Sequence, residues 1–154
     1  MSVFCHEGGL KLRQKVRAVI TDSAGQFLLV RPHGYREQDW TLAGGGVESG
    51  ETVHQAMRRE IAEELGVALE GPLEELPVAN RFLYSEDYKA KRGLDHDGQH
   101  ATMFLIRLPI DARLTLQAEE IAEARWFDRD AAALAFPVKK QRQIFEDCAA
   151  ALTA

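Results

Sequence analysis

Apolar and polar positions alternate well enough over residues 15–20 (KVRAVI) for a strand, and the apolar run in 26–31 (QFLLVR) follows as a second. The turn cluster Asp22-Ser23-Ala24-Gly25 between them predicts a hairpin. A short strand at 40–43 leads into Gly44-Gly45-Gly46. The period then changes. Val53, Ala56, Met57, Ile61 and Leu65 recur at helical spacing, predicting a helix over 52–65 with Gly66 in the left-handed position after its end. Arg58 and Gln55 fall on the outer face of that helix. Residues 75–83 read as a strand in which Pro77 requires an edge position or a bulge. Residues 84–100 are polar and read as a long loop, a type that is usually functional or mobile. Strands follow at 101–108 and 123–128, and a closing helix at 138–152 offers Val138, Ile144, Phe145, Cys148 and Leu152 for packing. The order predicts an α/β class with helices covering a mixed β-sheet, in one domain over 1–154.

Composition narrows the function classes. Apolar residues at 45% and charged residues at 28% are ordinary for a globular domain. A net charge of −5 argues against non-specific attraction of the whole surface to nucleic acid, while leaving room for a local basic groove. Cys5 and Cys148 form no metal-ligand spacing, and no secretory leader or membrane-length apolar run is present, so a cytoplasmic location is expected.

One feature of the helix conflicts with simple stability. Glu60, Glu63 and Glu64 stand at i, i+3 and i+4, so three carboxylates share one face in the final turns, where the helix dipole is already negative. At an effective dielectric of about 20 and a spacing of about 5.5 Å, each pair costs roughly 3 kcal/mol. Glu60 and Glu64 border the apolar stripe and lean toward the protein body. Hard oxygen donors in this grouping suit Mg²⁺ or Mn²⁺ together with phosphate oxygens. The ordinary alternative is a solvated helix carrying Arg–Glu pairs such as Arg59 with Glu63. The glycine run is not a P-loop, since no Gly-Lys-Ser/Thr follows.

The residues then carry a resemblance. Gly45, five residues, Glu51, seven residues, Arg59-Glu60-Ile61, one residue, Glu63-Glu64, one residue and Gly66-Val67 is similar to a complete Nudix box, with every fixed position filled across 23 residues. Ala43 departs from the proline that relatives commonly place before the glycines. The resemblance implies a Nudix-type α/β/α sandwich and metal-dependent hydrolysis of a nucleoside diphosphate-linked substrate. It also implies that Glu60, Glu63 and Glu64 ligate Mg²⁺ (or Mn²⁺) and that Glu51 pairs with Arg59 as a structural brace. A weaker similarity to bacterial RNA 5′-pyrophosphohydrolases and dinucleoside polyphosphate hydrolases runs through NRFLY at 80–84, GQHATMFLIRL at 98–108 and EEIAEARWF. It implies Glu120 as a further metal-site carboxylate and Tyr84 as a substrate contact.

Tyr84 and Tyr88 could stack on a base, while Lys89, Lys91, Arg92 and Arg31 are candidate phosphate contacts. Gly45 and Gly46 offer close backbone approach. Glu119 is the alternative to Glu120. The favoured substrates are RNA 5′-triphosphate ends or dinucleoside polyphosphates. The competing readings are a housekeeping hydrolase of (d)NTPs or of ADP-ribose-type nucleotide sugars, and a non-catalytic nucleotide sensor. The expected partners are a nucleotide-type small molecule or an RNA 5′ end and no membrane, with the chain a monomer or homodimer.

Overall fold

The structure is a computed structural model and describes residues 1–152. Among these residues the elements run β1 (Phe4–Glu7), β2 (Leu10–Thr21), β3 (Phe27–Pro32), β4 (Ala43–Gly46), α1 (Val53–Leu65), β5 (Glu74–Glu75), β6 (Asn80–Leu83), α2 (Glu86–Arg92), β7 (Gly98–Arg107), β8 (Ile121–Phe127), α3 (Arg129–Ala135) and α4 (Lys139–Leu152). The strands form one eight-stranded sheet with the central path β5-β7-β2-β3-β8. β2 and β7 run parallel, and the remaining pairs are antiparallel, so the sheet is mixed.

β2 is the organising strand. Its first residues pair with β1, its centre with β4 and its end with β3, while β7 lies along it from Leu12 to Thr21 on the other side. Val16, Ala18 and Ile20 point to one face, where Met57, Ile61 and Leu65 of α1 bury against them. Val19 points to the other face and packs with Leu29, Trp40, Met103, Phe136, Ile144 and Phe145 beneath α3 and α4. The period-two alternation of the strand thus feeds two separate cores, and the α/β/α sandwich follows.

Several sequence expectations change, among them the strand expected over 40–43, which is β4 and begins only at Ala43 to take in the three glycines. β1 and α3 were not expected. Residues 75–83 do not make one strand: β5 and β6 are separate two- and four-residue edge segments flanking Pro77, which cannot donate to a ladder. The stretch expected as a loop at 84–100 contains α2, capped by Ser85 and closed by Gly93, and its last residues already belong to β7. Arg58 is not simply outward: its guanidinium donates to the Leu69 carbonyl at 2.7 Å and to that of Gly71, tying down the segment after α1. No helix among the described residues is long and apolar enough to cross a membrane.

Candidate active site

α1 begins with a reciprocal capping box. Thr52 Oγ1 accepts from the Gln55 N–H at 3.1 Å, and Gln55 Oε1 accepts from the Thr52 N–H at 2.9 Å. The helix ends with Gly66 at φ 68°, the left-handed conformation that glycine adopts without Cβ strain. These two ends fix which turn presents the carboxylates.

Opposite that turn lies β4, whose last three residues are glycines paired with Arg17, Val16 and Lys15 of β2. The absence of side chains lets the helix press its carboxylates onto backbone. Glu64 Oε1 accepts from the Gly44 N–H at 2.7 Å. Glu60 occupies the space a side chain on Gly45 would fill, and a Cβ there would collide with its carboxylate. Burial raises Glu64 to a pKa of about 7, and the neighbouring charges of Glu60 and Glu120 add to the rise against the lowering effects of the Gly44 N–H and Arg17. Glu60 is raised as well, chiefly by burial. Glu63 points outward and is half exposed.

Arg59 ties this face together. Its Nε and Nη2 form a fork on Glu51 at 2.7 and 3.0 Å, and Nη2 also donates to the Gly46 carbonyl at 2.9 Å. Nη1 reaches Glu60 at 3.0 Å and Glu63 at 3.3 Å. Among the described residues no three His, Cys, Asp or Glu side chains already stand as a metal-ligating group. Two of the three helix carboxylates, Glu60 and Glu63, instead share the Arg59 guanidinium.

The segment before β8 is docked on the last turn of α1. Thr115 N–H donates to the Leu65 carbonyl at 2.8 Å, and Gln117 N–H to that of Glu64 at 3.1 Å. His33 N–H holds the Glu120 carbonyl at 2.9 Å. Glu119 and Glu120 therefore line a cavity of about 430 Å³ with Glu64, Gly44, Arg17 and Tyr35. A second cavity, also about 430 Å³, shares Arg17, Tyr35, Thr41, Leu42 and Gln141 with the first and continues past Lys15 to Asn80, Tyr84 and Gln99 under α4. The two form one cleft, acidic at one end and aromatic at the other.

Arg17 lines both cavities and Lys15 the second. Arg13, Lys15 and Arg17 alternate along β2 on the α4 side of the sheet, and none makes an ion pair among the described residues. Burial, helped by Arg17 and Arg13, lowers Lys15 to a pKa of about 7. Burial likewise lowers Arg17. Unpaired cations held out of water are costly, and a polyanion would offset that cost.

The NUDIX domain family model matches residues 11–148 of the chain. The chain belongs to the Nudix hydrolase family. It is 31% identical to a nucleoside triphosphatase NudI of Enterobacter sp. over 118 residues, covering 72% of this chain and 79% of the relative. It is 32% identical to an RNA pyrophosphohydrolase of Acidiphilium cryptum over 145 residues, covering 89% and 87%. Its fold resembles that of the E. coli dihydroneopterin triphosphate pyrophosphohydrolase with a TM-score of 0.73, at 21% identity and 92% and 96% coverage. Nudix proteins generally use divalent cations such as Mg²⁺.

Against this Nudix frame, the residues singled out from the sequence divide into two groups. Glu60, Glu64, Glu120, Gly45, Gly46, Glu51 and Arg59 come together around the glycine strand and the acidic cavity, with Glu63 beside them on the solvent side. Tyr84 lines the aromatic end, its hydroxyl accepting from Gln99 Nε2 at 2.8 Å. Lys89, Arg92 and Arg31 line neither cavity. Lys89 is bound to Asp97 at 2.6 Å, Arg92 lies over the Tyr88 ring at 4.9 Å, and Arg31 pairs with Glu123 at 3.4 Å. Their placement does not support the phosphate contacts expected of them. Lys15 and Arg17 were missed. Alternation along a strand does not say what covers each face, and only α4 lying over theirs encloses them.

Proposed function

We propose that this Nudix hydrolase cleaves a phosphoanhydride bond in a nucleoside polyphosphate, with a 5′-triphosphate RNA end or a dinucleoside polyphosphate favoured. The observation that carries the reading is the single cleft that runs from the α1 carboxylates, past unpaired Arg17 and Lys15, to a cavity edged by Tyr84. That order matches a polyphosphate chain ending in a base. The likeness over most of its length to an RNA pyrophosphohydrolase supports the same substrate class.

The donor set fits a hard divalent cation. Glu60 and Glu64 are crowded carboxylates raised by burial, and Gly45 leaves the room they need. They would hold the ion with Glu63, and with Glu120 from across the cavity. When bound, the ion supplies charge neutralisation at the phosphate oxygens and a more acidic water. Glu64 is fixed by the Gly44 N–H, so its role is to hold position. Glu63 lacks such a backbone bond and faces solvent, which suits it, with Glu120, to orient the attacking water and accept its proton. Arg17 and Lys15 bind the phosphate oxygens as negative charge shifts to the leaving phosphate. Thr41, Leu42, Phe136 and Ile144 exclude water around the nucleoside. The domain acts as one unit over 1–154.

Hydrolysis of a nucleotide panel with Mg²⁺ or Mn²⁺, beside Glu63→Gln, tests the proposal. Cation-dependent turnover that falls sharply in the variant is expected. Turnover confined to (d)NTPs or ADP-ribose would move the substrate to the housekeeping class, and no turnover of any member would favour a nucleotide sensor.

A further inference from the structure

A phosphate chain repeats one group, so a cleft that merely attracts it lets several anhydride bonds reach the carboxylates. Misplacing a reacting group by about 1 Å already costs about 100-fold in rate. Groups between the two ends of the cleft are the ones placed to set the register. Five residues line both cavities: Arg17 on β2, Tyr35 in the β3–β4 loop, Thr41 and Leu42 before β4, and Gln141 on α4.

The loop that carries Tyr35 is tied to itself. Gly34 turns the chain at φ 90°, the Tyr35 N–H donates to the Pro32 carbonyl at 3.2 Å, and Arg36 pairs with Asp39 at 2.9 Å. At the loop's end the buried Trp40 donates through Nε1 to the Glu37 carbonyl at 3.0 Å. Tyr35 itself stays 39% exposed and lies near enough to Arg17 to act on its charge. Among the described residues neither the Tyr35 hydroxyl nor the Gln141 side-chain amide makes a hydrogen bond, and Arg17 makes no ion pair. Three elements thus bring unspent donors to the stretch the cavities share. A phenol and a carboxamide donate to phosphate oxygens in defined directions, and Arg17 adds a planar fork. A lysine is a point charge on a flexible stem and fixes position less well.

We propose that Tyr35 and Gln141, together with Arg17, form a collar that grips one phosphate and so selects which phosphoanhydride bond meets the carboxylates. This rests on the reading of the cleft as a nucleoside polyphosphate site. The test hydrolyses adenosine 5′-tetraphosphate with Mg²⁺ in ¹⁸O-labelled water and identifies the products and the phosphate that carries the label. The ratio of cleavage sites is read within one reaction, so it does not depend on how much of the protein is folded. The wild type is expected to favour one bond by about 10- to 100-fold, the range of one hydrogen bond to a charged group. Tyr35→Phe combined with Gln141→Met nearly keeps the size of both side chains but removes their donors, and is expected to bring the ratio close to one. Each single variant is expected to move it part of the way, so the result does not hang on the pair alone. Lys15→Gln removes charge outside the collar and is expected to raise KM at an unchanged ratio. Mixed cleavage by the wild type, a ratio that survives in the pair, or an equal shift in Lys15→Gln overturns the collar and leaves the hydrolase reading intact. Absence of cation-dependent turnover of this nucleotide and of a nucleoside triphosphate overturns the underlying reading and the collar with it.

Discussion

Glu64→Gln separates the electrostatic burden of the carboxylate cluster from its packing. Glutamine is nearly isosteric, and its Oε1 can still accept from the Gly44 N–H, so the helix-to-strand contact survives. What disappears is a charge on a side chain only 6% exposed. Burial raises this carboxyl from 4.5 to about 7. A carboxyl raised in the folded state favours folding below its unfolded pKa and loses that contribution as pH climbs through the folded one. At about 1.4 kcal/mol per pH unit, the metal-free wild type should lose on the order of 3 kcal/mol from this group between pH 4.5 and 8. In a domain of this size that corresponds to about 6–12 °C in Tm. Thermal unfolding in EDTA across this pH range is the assay. The two proteins are expected to melt close together near pH 4.5, with the variant the more stable by several degrees at pH 8. Mg²⁺ should then raise the wild type at pH 8 and raise the variant less. Parallel pH curves for the two proteins would refute the claim that a buried, charge-crowded Glu64 limits the metal-free fold.

Gly45→Ala places a methyl group against the Glu60 carboxylate and should lower kcat by about 100-fold, the cost of displacing a catalytic group by about 1 Å, with an unchanged circular dichroism spectrum. Arg17→Gln and Lys15→Gln should each weaken substrate binding by about 10- to 100-fold, read as KM for a nucleoside triphosphate in steady-state assays. Tyr84→Ala should raise KM for nucleotides more than for inorganic polyphosphate, and equal effects on both would remove base stacking from the account. Arg59→Lys keeps the charge but loses the fork on Glu51, so a drop in urea midpoint and a weaker response to Mg²⁺ are both expected.

Legibility in the sequence followed the strength of local signals. α1 was readable because its cap, apolar stripe and terminal glycine agree, and the carboxylate crowding is a property of the same thirteen residues. α2 was not readable, since none of its residues is buried and it therefore has no apolar stripe. The short β1 and α3 depend on what they pack against. The same limit explains the site. Glu60 and Glu64 follow from helical geometry, whereas Lys15 and Arg17 became part of the cleft only when α4 closed over one face of β2. Lys89, Arg92 and Arg31 had the right chemistry, but Asp97, Tyr88 and Glu123 hold them elsewhere.

The central claim is that the α1 carboxylates and the aromatic cavity are two ends of one substrate cleft. Crystals grown with Mn²⁺ and a non-hydrolysable nucleoside triphosphate analogue test it most directly, through anomalous scattering from the manganese. The expected result is a manganese peak at about 2.0–2.3 Å from Glu60 and Glu64 oxygens, phosphates at Arg17 and Lys15, and the base beside Tyr84. Manganese held away from these glutamates, or a base bound outside the cavity with its phosphates far from Arg17, would contradict the account.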